Sequence, residues 1–163
     1  MVLLLTVIAV FFPMAPALAA SVASELAFHR GVVAFAEDQL EEAREQFQIV
    51  LAEDPTDVDA LHYLGMIADA DGKHDDAIAL FRRALALAPE DADLRFDLGA
   101  TLLEAGRNQE ALEAFEAVLE RDPERARAHL FAGIAEYRLR DYAAAVPHLE
   151  KATELDPDLG REA

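Results

Sequence analysis

The chain has 163 residues, is 53% apolar, carries a formal charge of −18 and contains no cysteine. That length supports one domain of ordinary size. The missing cysteine excludes a disulfide framework, a thiol site and a lipoprotein anchor. So strong an acidity disfavours nucleic acid and anionic lipid headgroups as partners; it fits a soluble, self-repelling protein, a high-salt setting or a basic partner.

The opening stretch, MVLLLTVIAVFFPMAPALAA, holds no charged side chain. An apolar run from Val2 to Phe12 is followed by Pro13 and Pro16, then by Ala17-Leu18-Ala19. This is the layout of a secretory signal peptide over residues 1–19, with cleavage after Ala19. An uncleaved membrane anchor is the alternative, since about 20 apolar residues just span a bilayer, although two prolines interrupt a continuous helix. No Lys or Arg precedes the apolar run, which points to a start inside a longer leader. The expected location is periplasmic after export, or, with an anchor, the periplasmic side of the inner membrane. Ser21 to Ala23 read as a short lead-in.

From Ser24 the sequence repeats itself, most regularly from Val58 to Asp91. A first amphipathic helix is predicted over 58–71, with Leu61, Leu64, Gly65 and Ala68 at helical spacing. A second follows over 75–87, with Ala77, Ile78, Phe81, Ala84 and Leu85 on one stripe. Gly72 marks the turn between them and Pro89 ends the second helix. The markers recur every 34 residues: Pro55, Pro89, Pro123 and Pro157; Gly31, Gly65, Gly99 and Gly133; Ala43, Ala77, Ala111 and Ala145; Phe47, Phe81 and Phe115, with Leu149 in the fourth seat. The units are 24–57, 58–91, 92–125 and 126–159, and 160–163 read as the start of a fifth helix. Close helix approach predicts that Gly65 meets Ala77, with Phe81 and its equivalents filling the space between units. Arg30 stands where the other units have Leu64, Leu98 and Ala132, and Pro147 falls early in the last helix, where a kink is expected. Val146, Leu149 and Leu155 lack a following unit to cover them. This predicts either a fragment of a longer protein or self-association through that face.

A 34-residue helix-turn-helix with these markers resembles the tetratricopeptide repeat family, over Ser24 to Leu159. The resemblance implies an all-α fold, a right-handed α-solenoid of stacked hairpins whose first helices line a concave, partner-binding side. Offsets of −3, +1 and +4 from each marker glycine share one helical face. They place Phe28, Val32, Phe35, His62, Met66, Phe96, Leu103, Leu130, Ile134 and Tyr137 on the predicted groove, with Asp69 and Ala100 in the remaining seats. An apolar and aromatic face of this length suits an apolar or amphipathic protein segment. Family members that clamp the C-terminal carboxylate of chaperones use Lys, Asn and Arg on this face. The matching seats here are Phe28, Val32, Tyr63, Asp93 and Asp97, whose acids would repel a carboxylate, so that activity is not expected.

Catalytic chemistry finds no foothold. His29, His62, His74, His129 and His148 form no HExxH pair. Asp69-Ala70-Asp71-Gly72 lacks the acid ladder and closing glutamate of a calcium loop. Glu41-Glu42 and Asp75-Asp76 open second helices, where acids complement the helix dipole. No catalytic residue, cofactor or metal is therefore expected. The chain reads as a non-enzymatic interaction scaffold of the bacterial envelope. The alternative is the N-terminal assembly domain of a larger envelope or outer-membrane protein.

Overall fold

The computed structural model describes residues 14–159, with side chains from residue 21 onward. The apolar run of the expected signal peptide and the expected fifth helix lie outside the described residues. Among the described residues there are eight α-helices and no strand, and no helix is long and apolar enough to cross a membrane. The chain divides into two units, one ending at Glu53 and one beginning at Asp54.

The first unit pairs α1 (Met14–Ala36) with α2 (Leu40–Glu53). Residues 21–23, expected as a lead-in, lie inside α1. Pro16 is the third residue of that helix, where backbone N–H groups have no intrahelical acceptor and a missing one costs nothing. Phe47 is fully buried against α1. Arg30, in the seat of the buried Leu64 and Leu98, is exposed.

The second unit holds α3 (Val58–Ala70), α4 (His74–Leu87), α5 (Ala92–Glu104), α6 (Asn108–Leu119), α7 (Ala126–Arg138) and α8 (Tyr142–Leu155). Each helix packs on the next in chain order, and α5 also touches α3 and α7. This is a helical solenoid of three hairpins. The odd helices start at 58, 92 and 126 and the even ones at 74, 108 and 142, a step of 34 in both series. Asp57 caps α3 through the Ala60 N–H, and Asp91 caps α5 through the N–H groups of Asp93 and Leu94; each such cap contributes about 1 kcal/mol. Arg125, in the same place before α7, offers no side-chain cap. At the turns Gly72 and Gly106 take positive φ, and Arg140 takes φ 68° in the equivalent place, a left-handed conformation that disfavours a Cβ.

The marker glycines open onto the side chain four residues beyond the marker alanine. A Cβ on Gly65 would lie 2.5 Å from Cε1 of Phe81, and Gly99 stands in the same relation to Phe115 at 2.8 Å. Glycine thus admits the aromatic ring of the same hairpin. Ala77 is itself fully buried. In the last hairpin Leu149 replaces the ring over Gly133, and the Ala145 carbonyl lies 3.2 Å from a Cβ built there, the expected glycine–alanine approach. α8 runs on through Pro147, which has no N–H to offer the Ala143 carbonyl.

Candidate functional site

The expected groove residues of the first unit, Phe28, Val32 and Phe35, are all half-buried on α1. Phe28 sets its ring edge-on to Phe47, with centroids 5.8 Å apart. On the other side of the hairpin His29, Arg30 and Val33 of α1 face Gln39, Glu42 and Gln46 across a shallow, mixed-polarity cleft.

In the second unit the first helices α3, α5 and α7 lie in order, so each seat on one helix meets a definite seat on the next. The −3 seat touches the neighbour's −2 seat: His62 Nε2 donates to Asp97 Oδ2 at 2.6 Å, and Phe96 meets Phe131 edge-on at 5.4 Å. The +4 seat touches the neighbour's +5 seat: Arg138 Nη1 donates to the Leu103 carbonyl at 2.6 Å, and Asp69 lies near Glu104.

This seam pairing corrects part of the sequence reading. Phe96 and Leu103 are each only 3% exposed, and neither presents a surface to a partner. Phe96 packs against Phe115 and Phe131 while the guanidinium groups of Arg125 and Arg127 cover its ring, at 4.6 and 5.2 Å from the centroid. Arg125 is held there by Asp93 at 2.7 Å. A desolvated ring stacked under a guanidinium is stabilised by cation–π attraction of about 1 kcal/mol. His62, Met66, Leu130 and Ile134 remain half-buried, and Tyr137 is 61% exposed, its ring edge-on to Tyr142 at 5.2 Å. The accessible apolar residues of this unit's predicted face thus concentrate on α7. Tyr142 and Val146 of α8 add exposed apolar surface, while Leu149 and Leu155 are half-buried.

Sequence reasoning missed Glu136. It occupies the +3 seat on α7, where the other repeats have the buried Ala34, Ala68 and Leu102. The carboxyl is 6% exposed and its Oε2 has no hydrogen-bond partner. Burial, with the charges of Asp141 and Glu116 nearby, pushes its pKa up. The signal was present in the register, as an acid standing in an apolar seat. Also unforeseen is the pair His129 and His148, whose Nδ1 atoms lie 3.2 Å apart, with His129 Nε2 donating to the Pro123 carbonyl. Burial and His129 lower the His148 pKa.

Three family profiles described as tetratricopeptide repeat match the chain, over residues 28–92, 68–133 and 126–159. Among solved structures, a MamA from strain AMB-1 is 27% identical over 82% of this chain and 78% of its own, with a TM-score of 0.74. YrrB, described as a TPR protein with an unusual peptide-binding site, is 29% identical over 85% of this chain and 71% of its own, with a TM-score of 0.77. MamA from Desulfovibrio magneticus RS-1 shares the fold at a TM-score of 0.80 and 24% identity, over 83% of this chain and 77% of its own. No curated protein matches the chain in sequence.

Proposed function

Because the chain belongs to the tetratricopeptide repeat family, we propose that it is a non-enzymatic scaffold that holds a peptide or helical segment of a partner protein against its first helices. The observation that carries this reading is the uncovered apolar surface of α7, where Leu130 and Ile134 are half-buried and Tyr137 stands out. Phe28, Val32 and Phe35 give α1 a similar character. Aromatic and aliphatic residues on a rigid helix face suit an apolar or amphipathic segment. The peptide-binding site in YrrB's description supports the same class of partner. Peptide display against the protein should enrich apolar or amphipathic sequences. Their binding should fall at least tenfold in an Ile134→Ala, Tyr137→Ala double variant of unchanged helicity. Enrichment that ignores these substitutions would remove the assignment.

The site of action proposed is the bacterial envelope, on the strength of the uncharged, signal-like residues 1–19. Residues 1–30 fused to alkaline phosphatase should give active enzyme, which folds only after export; an inactive, soluble fusion would refute export. A second reading, self-association, is favoured by Tyr142 at 54% and Val146 at 52% exposure on α8. Sedimentation across concentrations tests it, and a monomer at all concentrations would remove it.

A further inference from the structure

At the seam between α3 and α5, three potential ligands converge from three different elements. Asp69 lies next to the end of α3, His74 opens α4 and Glu104 closes α5. Their ligand atoms all lie within 4.8 Å of one another. His74 Nδ1 stands 3.0 Å from Asp69 Oδ1 and 4.0 Å from Glu104 Oε2. The seats are the +4 and +5 positions that bring Leu103 to Arg138 one repeat later, so the stacking of the hairpins itself creates the approach.

The charges around this cluster leave room for a cation. Lys73 is engaged by Asp71 at 2.8 Å and Arg107 by Glu110 at 2.7 Å. Among the described residues neither Asp69 nor Glu104 has a Lys or Arg partner. Two carboxylates therefore share one imidazole. The negative ends of α3 and α5 point here, and α4, whose positive end is here too, carries Asp75 and Asp76 in its first turn.

We propose that Asp69, His74 and Glu104 form a binding site for a divalent first-row transition-metal ion, of which Zn²⁺ is the probe. One imidazole nitrogen with two carboxylate oxygens is a borderline donor set that suits such ions, whereas Ca²⁺ and Mg²⁺ favour oxygen alone. Bonds of about 2.0–2.2 Å to one ion place neighbouring ligands roughly 3–3.5 Å apart. The 3.0 Å separation meets this, although it is now spanned by a hydrogen bond whose proton leaves to solvent when the ion takes the His74 Nδ1 lone pair. The Glu104 carboxylate, 4.0 Å from His74 and 59% exposed, swings inward to close on the other two. Water completes the coordination. The bound ion ties α5 to the α3–α4 hairpin and stiffens that seam, whether or not a partner occupies the α7 surface. The site thus goes beyond the scaffold reading and stands apart from it.

Calorimetric titration of ZnCl₂ into the chelator-treated full chain tests the proposal, with MgCl₂ in parallel. The expected result is saturable binding of one Zn²⁺ per chain at this seam, no comparable Mg²⁺ binding, and a melting temperature that rises with Zn²⁺ concentration. D69N and E104Q should each weaken Zn²⁺ binding at least tenfold and suppress the melting shift. Glu104 is exposed, so E104Q should retain native circular dichroism in the absence of metal. An H129Q/H148Q double variant, which removes the other histidine pair, should bind Zn²⁺ at the seam as the parent does. Absence of saturable binding, unchanged affinity in both D69N and E104Q, or loss confined to the double variant would overturn the assignment.

Discussion

The second and third repeats meet through polar side chains, and the third and fourth through aromatic rings, in seats that the 34-residue step makes equivalent. At the first seam His62 bonds Asp97, and Asp69 with His74 approaches Glu104. At the second Phe96 packs on Phe131 beneath two guanidinium groups, and Arg138 closes on the Leu103 carbonyl. The backbone arrangement repeats but the chemistry does not. A solenoid needs only matching helix spacing to stack, so each seam is free to vary its side chains. The aromatic seam contributes stability by burying a large apolar ring. The polar seam, half open to water, contributes little to stability and keeps titratable, ligand-bearing groups near the surface.

The largest expected effect lies at the aromatic seam. Phe96→Ala removes a ring buried among Phe115, Phe131 and two arginines, and should cost about 3–4 kcal/mol in urea unfolding. A loss below about 1 kcal/mol would mean that the ring is not structural. The reverse experiment converts one seam into the other. His62→Phe with Asp97→Phe places aromatic residues in the seats of Phe96 and Phe131, and should raise stability by about 1–2 kcal/mol, as replacement of polar pairs by packed apolar ones often does. A loss in that variant would show that the two seams are not interchangeable.

Glu136 sharpens the contrast through pH. Its folded-state pKa is raised by burial, so the folded chain favours the proton more than the unfolded chain does. Stability is then fully present below the unfolded carboxyl pKa and is lost as pH rises through the raised folded value. Glu136→Gln should therefore be more stable than the parent at neutral pH, with the difference vanishing in mild acid. A gain that persists unchanged below pH 4 would refute the assignment. The smallest effect is expected at the polar seam. Asp97→Asn, which keeps a hydrogen-bond acceptor for His62 but removes the charge, should change stability by about 0.5 kcal/mol. A change above 2 kcal/mol would show that this pair, too, is structural.

Much of the fold is legible in the sequence. Glycine, alanine and proline recurring at 34-residue intervals located the hairpins because turns and close approaches accept few residue types. The caps at Asp57 and Asp91, which fix where α3 and α5 begin, emerged only in the structure. The candidate site was only half legible. Helical periodicity assigns Phe96 and Tyr137 to one face, yet one is buried and the other exposed. What separates them is a neighbour on the next helix: Phe131 covers Phe96, while Tyr137, edge-on to Tyr142, stays 61% exposed.

Residue pattern alone thus determined that this chain forms helical hairpins at a step of 34, because local propensity and spacing act within one hairpin. The tertiary structure decided which face residues stay open, that the marker glycines receive the rings of Phe81 and Phe115, and that Asp69, His74 and Glu104 converge. The glycine contacts join the two helices of one hairpin, while the open faces and the three ligands depend on groups up to 35 residues apart brought together by stacking; periodicity along a single helix carries no information about its neighbour.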